Sequence, residues 1–229
     1  VKYVKRMVPA YNLPNAIPFN RVMTQGKSLP LEQVKLSSND IAFLQYTGGT
    51  TGVAKGAVLT HRNMVANIMQ AYTWLSHLIN EGEEVIITAL PLYHIFSLTA
   101  NCMVFSKAGG LNVLITNPRD MGGFVKELSK HKFSAITGVN TLFNGLLHTS
   151  GFDQLDFSHL RLTLGGGMAV QEAVARQWQQ VTGKPLLEAY GLTETAPAVC
   201  MNPLDLSEYN ATIGLPISST KTNKSILAP

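Results

Sequence analysis

Tyr46–Gly56 reads YTGGTTGVAKG, and this run governs how the rest of the chain is read. Four glycines, three threonines and one lysine fall within it, directly behind the strand-like run Ile41–Tyr46 (IAFLQY). Glycine lets consecutive backbone N–H groups turn toward an anion, and such a series forms an anion-binding nest. Thr47, Thr50 and Thr51 add hydroxyl donors, Gly48, Gly49 and Gly52 let the backbone close in, and Lys55 adds a positive charge. The helix expected after Thr60 adds its positive dipole end if the loop folds back on it. The run therefore reads as a loop that holds phosphates. It is not a Walker A loop, which needs Gly-Lys followed by Ser or Thr, because Lys55 lies between Ala54 and Gly56. A flexible Gly/Thr linker is the bland alternative, and it fits poorly between a strand-like run and a helical pattern.

Working outward, strand and helix patterns alternate from Asp40 onward. Ile41–Tyr46 reads as a buried strand. Thr60 is a good N-cap for a helix through about Leu78, with Met64, Ile68, Ala71 and Leu75 on one apolar face. Val85–Leu90, Leu111–Ile115, Phe133–Thr137, Leu160–Leu164 and Pro185–Ala189 read as further strands. Helices are expected over Ile95–Lys107 (stopped at Gly109-Gly110), from Pro118, near Thr141–His148, and over Gln171–Val181. This alternation predicts an α/β fold, layered sheets with flanking helices around a largely parallel sheet. In such sheets ligands bind beyond the carboxyl ends of strands. The runs after Tyr46, Leu90, Leu164 and Ala189 each follow an expected strand, which argues for one shared site. Residues 1–36 carry four prolines and no steady period, so they read as an irregular lead-in with a short helix near Asn20–Thr24. Residues 37–216 form the α/β domain and 217–229 a divergent tail.

Bulk properties exclude several classes. The 229 residues are 45% hydrophobic and 14% charged, enough for a sizeable core. A formal charge of +4 is spread along the chain, with Lys2, Lys5 and Arg6 the only dense group, so no nucleic-acid footprint is legible. Cys102 and Cys200 suit neither a disulfide framework nor a metal site. No charged-then-apolar leader follows Val1, and the most apolar stretch, Val85–Ile115, is broken by Pro91, His94, Asn101 and Lys107. These features predict a cytoplasmic protein.

Two more blocks accompany the glycine run. Tyr190–Pro197 reads YGLTETAP and Pro91–Phe96 reads PLYHIF. Together the three blocks, in this order, resemble the signatures of the adenylate-forming enzymes: a phosphate loop, a P-x-x-H motif and a Y-G-x-T-E motif. The wording around them (ITNPRD, AITGVNTLFN) is most similar to the bacterial long-chain fatty acid–CoA ligases, from about Val1 to Pro216. That resemblance implies ATP-dependent activation of a long-chain fatty acid to an acyl-adenylate and then to acyl-CoA, with Mg²⁺, ATP and CoA taking part. It implies that Thr47–Lys55 (Thr47, Gly48, Gly49, Thr50, Thr51, Gly52, Lys55) clamp the β- and γ-phosphates. It implies that Glu194 serves the magnesium, Thr193 contacts the α-phosphate, and Tyr190 with Gly191 packs on adenine. His94 is then placed near the acyl carboxylate and the reactive phosphate. It is not a general base, because a carboxylate nucleophile is already ionised at pH 7. Gly165, Gly166, Gly167 and Met168 resemble the segment lining the adenine pocket and acyl channel, with a tight strand-to-helix turn as a real competitor. Thr137–Phe143 resembles the acyl-channel wall. His61, His77, His131, His148 and His159 show no paired metal spacing and are assigned no role.

The family's T-G-D motif, its following arginine and its mobile C-terminal domain with the catalytic lysine are not found here. The expectation is a partial site with weak or no turnover by this chain. The shared motifs leave open a carrier-protein or aryl-acid ligase, a non-catalytic nucleotide- or acyl-binding fragment, and a structural fragment that self-associates through open sheet edges. Long-chain acids partition into bilayers, so any membrane contact is expected to be peripheral.

Overall fold

The computed structural model describes residues 12–47 and 54–222. The chain divides into two compact units between Leu36 and Ser37. In the first, the helix α1 (Phe19–Gly26) starts behind Pro18 and exposes Phe19, Val22 and Met23.

The second unit begins with a hairpin. β1 (Ile41–Thr47) pairs antiparallel with β2 (Lys55–Thr60), and the two form a separate two-stranded sheet. This corrects two expectations. Ile41–Tyr46 is not a buried strand, since Ile41, Leu44 and Tyr46 are exposed. The glycine run also joins two strands rather than a strand and a helix. Only one face of this ribbon is covered. Leu59 packs there with Met64, Ile95 and Ala196, and the alternation of the pleat sends its neighbours outward.

α2 (His61–Leu75) follows β2 at once. Thr60 caps it as expected, its hydroxyl accepting from Asn63 N–H at 3.3 Å while the Asn63 side chain accepts from Thr60 N–H at 3.1 Å. The main sheet then opens with β3 (Val85–Thr88). A π-wound segment (Ser97–Met103) runs into α3 (Val104–Lys107), followed by β4 (Leu111–Leu114). α4 (Met121–Leu128) starts at Asp120, whose carboxylate accepts from Gly123 N–H at 3.0 Å, rather than at Pro118. β5 (Ala135–Gly138), α5 (Asn140–Leu147), β6 (Leu162–Gly165), α6 (Glu172–Thr182) and β7 (Leu187–Gly191) complete the alternation. β8 (Ala198–Met201) and β9 (Leu215–Pro216), which no sequence pattern announced, add an antiparallel edge.

The strand order is β4-β3-β5-β6-β7-β8-β9, with β4 through β7 parallel. Side chains alternate across it. Ile87 and Ile136 meet Phe124, Phe143 and Trp178 of α4, α5 and α6 on one face. Ile86, Ala135, Leu162, Leu164 and Leu187 meet Ala71, Leu75, Val104 and Phe105 of α2 and α3 on the other. Both faces are therefore covered, as a parallel sheet requires. β4 lies on one side of β3 and β5 on the other, so the winding reverses at the carboxyl ends of β3 and β5. That reversal point is where open α/β sheets place their ligands.

At the opposite end, the residues just before β3, β5 and β6 form a polar knot. The Glu84 carboxylate, almost fully buried, accepts from Asn80 N–H at 2.6 Å, from the Ser134 hydroxyl and from the Arg161 guanidinium. Arg161 Nε also donates to Leu78 O at 3.1 Å.

Candidate functional site

A cavity of about 360 Å³ lies between the sheet and the α2/π-helix layer, at the carboxyl ends of β5, β6 and β7. Its wall brings together residues far apart in sequence: Thr47, His94, Gly166, Gly167, Tyr190, Gly191, Thr193 and Glu194. The two ends differ in chemistry. The mouth carries the hydroxyl of Thr193, the carboxylate of Glu194 and the imidazole of His94. The interior is apolar, with Ala71, Leu75, Phe96, Phe105, Leu162 and Leu164 on its wall. α2 residues from Asn67 to Leu75 line it, so it extends about two helical turns, or roughly 12 Å, beneath that helix.

The mouth is shaped by local rules. Tyr190 and Gly191 end β7, where a register shift against β8 frees the next residues from the ladder. Thr193–Thr195 form one 3₁₀ turn, with Glu194 exposed and Thr193 half-buried. Thr195 closes the turn by accepting from Leu192 N–H at 3.0 Å and donating to Leu192 O at 2.9 Å. His94 sits in a turn after β3, closed by His94 N–H to Pro91 O at 2.9 Å. Its Nδ1 accepts from Phe96 N–H at 3.2 Å. With Nδ1 occupied as acceptor, neutral His94 carries its proton on Nε2, where it acts as a donor. The Gln45 amide donates to Tyr93 O at 2.6 Å, tying β1 to this same turn.

The glycine segment after β6 divides. Gly166 and Gly167 reach the cavity. A Cβ on Gly166 would stand 3.1 Å from the Phe96 ring, so the ring lies against bare backbone. Gly165 does not reach the wall: a Cβ there would meet Val170 at 2.6 Å, which makes it a close-packing residue between β6 and the loop ahead of α6. Met168 is exposed. In the Thr137–Phe143 segment, Thr137 lines the cavity, whereas Leu142 and Phe143 belong to the core on the other face of the sheet. Lys55 begins β2 opposite Thr47, exposed and off the cavity wall. Gly48, Gly49, Thr50, Thr51 and Gly52 lie outside the described residues.

Among the wall residues that sequence reasoning missed are Asn67, Phe96 and Thr99. Asn67 did leave a signal, a polar residue on the apolar stripe Met64–Ala71–Leu75. Next to the site, burial pushes the Glu188 carboxyl up, offset in part by the bond it accepts from Val170 N–H at 2.9 Å. A carboxyl raised in the folded state stabilises most below its unfolded value and loses that contribution as pH rises through its folded value. Glu188→Gln keeps the acceptor and removes the titration. Its stability, relative to the unsubstituted chain, is expected to rise as pH climbs out of the ordinary carboxylate range and to level off once pH has passed the raised folded value. Urea unfolding as a function of pH checks this, and a pH-independent difference would refute it.

Comparison with known proteins places this geometry. The model of the AMP-binding enzyme family matches residues 5–223. The chain belongs to that family. Long-chain-fatty-acid–CoA ligases from Yersinia pestis and Escherichia coli are 58% and 57% identical to it over 96% of its length. One from Bacillus subtilis is 35% identical over 90%. The chain spans 39% of the Yersinia and Escherichia proteins. Among solved structures, ATP-bound MatB from Rhodopseudomonas palustris superposes with a TM-score of 0.70 at 27% identity, covering 82% of this chain and 36% of MatB. An anthranilate–CoA ligase in complex with anthranoyl-AMP shares the fold, with a TM-score of 0.70 at 23% identity over 82% of this chain and 36% of its own.

Proposed function

We propose that this chain forms the nucleotide- and acyl-binding part of an ATP-dependent long-chain fatty acid–CoA ligase. The observation that carries the reading is the two-ended cavity, a polar mouth on an apolar trough, in a chain 58% identical to such a ligase. An aliphatic acid fits with its tail along α2 and its carboxylate at the mouth. ATP fits with adenine against Tyr190 and Gly191 and phosphates toward Thr193 and the hairpin loop.

The chemistry needs charge screening and alignment more than bond activation. The acid carboxylate attacks the α-phosphorus, and pyrophosphate leaves. His94 Nε2–H is placed to donate to an oxygen of either reactant, and Thr193 Oγ1–H to the α-phosphate. Lys55 and the run Thr47–Gly52 receive the leaving pyrophosphate. Such fixed donors act most where charge builds up. No group of three or more His, Cys, Asp or Glu able to hold a metal occurs among the described residues. Exposed Glu194 offers one carboxylate, which fits Mg²⁺, an ion that keeps waters and takes its other ligands from nucleotide phosphates. Bound there, magnesium would neutralise phosphate charge. CoA then displaces AMP through its thiol. The acid partitions into bilayers, so contact with a membrane surface is peripheral in this reading. No helix among the described residues is long and apolar enough to cross one.

The test is a chimera in which the chain replaces its counterpart in one of the full-length relatives. Pyrophosphate release with Mg·ATP that grows with acid length supports the reading. A folded chimera that releases none with any acid refutes it. In that chimera His94→Ala is expected to slow release roughly tenfold, the worth of one hydrogen bond to a charged group. An unchanged rate would remove His94 from the site.

A further inference from the structure

The turn that carries Thr193 and Glu194 is held in an unrelaxed shape. It ends at Ala196, whose φ of 70° lies in the left-handed region that costs an L-residue about 1–2 kcal/mol. Its own hydrogen bonds, made by Thr195, close the loop but do not anchor it to the body. Two side chains from other elements do. Thr99, buried in the π-wound segment, donates from Oγ1 to Ala196 O at 3.1 Å. Asn67, buried on α2, accepts from Ala198 N–H at 3.0 Å and donates to Ala198 O at 2.9 Å, so it pairs with both backbone groups of that residue. Between these two anchors Ala196 packs against Leu59, Met64 and Ile95.

The π-wound segment also reaches the other walls. Ser97 Oγ donates to Leu90 O at 2.8 Å, just ahead of the His94 turn. Asn101 accepts from Thr137 Oγ1 at 2.8 Å and donates to Thr88 Oγ1 at 3.2 Å, at the point where the strand order reverses. Three polar side chains of one short segment thus fasten the His94 turn, the Glu194 turn and the sheet. Windings of this kind recur at functional sites.

We propose that Thr99 and Asn67 are positioning residues that fix the Glu194 carboxylate where a magnesium–nucleotide complex meets it. α2 leaves directly from β2, the strand that closes the phosphate loop. Asn67 therefore ties the strand behind the Glu194 turn to the helix that follows β2. The inference rests on the nucleotide reading above and adds how the carboxylate is held.

The experiment measures binding of fluorescent mant-ATP to the 229-residue chain with Mg²⁺ and with EDTA. The ratio of the two affinities isolates the metal-dependent part. Glu194→Ala is expected to abolish that ratio. Thr99→Val, which keeps the shape and removes the hydroxyl, is expected to reduce it about tenfold, the low end for residues that orient a metal ligand. Asn67→Ala is expected to do the same, and Thr99→Ser to restore it. If Thr99→Val and Asn67→Ala keep the ratio while Glu194→Ala loses it, the bracing falls and the nucleotide site stands. Equal weakening with and without metal would mark both residues as merely structural and also overturn the proposal. If Glu194→Ala keeps the ratio, or the unsubstituted chain shows none, the metal assignment itself fails and the inference with it. Should Thr99→Val not fold, Asn67→Ala decides.

Discussion

Gly191→Ala is expected to lower the rate of acyl-adenylate formation at least about 100-fold in the chimera. A Cβ at Gly191 would lie 2.1 Å from Pro197 O and 2.8 Å from its carbonyl carbon. Both obstacles are backbone, so no rotamer change relieves them. The clash sits at the register shift where β7 leaves its ladder with β8. Leu192 N–H donates to that same Pro197 O at 3.1 Å. Relief therefore means moving the segment that presents Thr193 and Glu194. A displacement of about 1 Å at a reacting centre costs on the order of 100-fold. Gly122→Ala on α4 is the control, since nothing lies within 4 Å of its added Cβ. It should leave the rate unchanged and raise stability slightly, because Ala favours a helix. A Gly191→Ala chimera with normal turnover would show that the Glu194 turn does not depend on this close approach.

Much of this was legible before any coordinates. The five parallel strands follow from short, largely apolar runs between helical patterns, and Thr60 announces the start of α2 by residue type alone. The motifs after β3, β6 and β7 converge because carboxyl ends of parallel strands share one edge. What escaped was set by distant partners. Ile41–Tyr46 is as apolar as a core strand, yet it sits in a two-stranded ribbon with one face uncovered. β8 and β9 carry no alternation, because their pairing is fixed by the edge of β7 and by Ile217 N–H bonding to Val199 O at 2.9 Å. Gly165 reads like Gly166 and Gly167, but pleat direction turns it toward Val170. Thr99 and Asn67 look like ordinary polar residues until the carbonyls they meet, 97 and 131 positions away, are placed beside them.

Arg161→Ala is expected to destabilise the chain by about 3 kcal/mol, the lower end for breaking a buried ion pair. The lower end applies because the Arg161 side chain is 33% exposed, while that of Glu84 is only 3% exposed. Removing the guanidinium strands the Glu84 charge at the foot of β3, with Asn80 N–H and the Ser134 hydroxyl as its remaining partners. Leu78 O loses its donor as well. For a chain of this length the loss corresponds to roughly 6–12 °C in Tm. Arg161→Lys keeps the charge but lacks the planar fork that serves Leu78 O and Glu84 together, so it should fall between. Replacing Glu84 by leucine in the Arg161→Ala background removes the orphaned charge and is expected to recover part of the loss, because a buried pair exchanged for apolar groups is often neutral. The knot lies at the end of the sheet away from the cavity mouth, where Thr193, Glu194 and His94 stand. Mant-ATP affinity should therefore stay within twofold at 25 °C in every variant that remains folded. Urea titration and nucleotide binding on the same samples separate the two effects. A drop in affinity matching the drop in stability would mean that the two ends of the sheet are coupled, and that this ion pair serves the site as well as the fold.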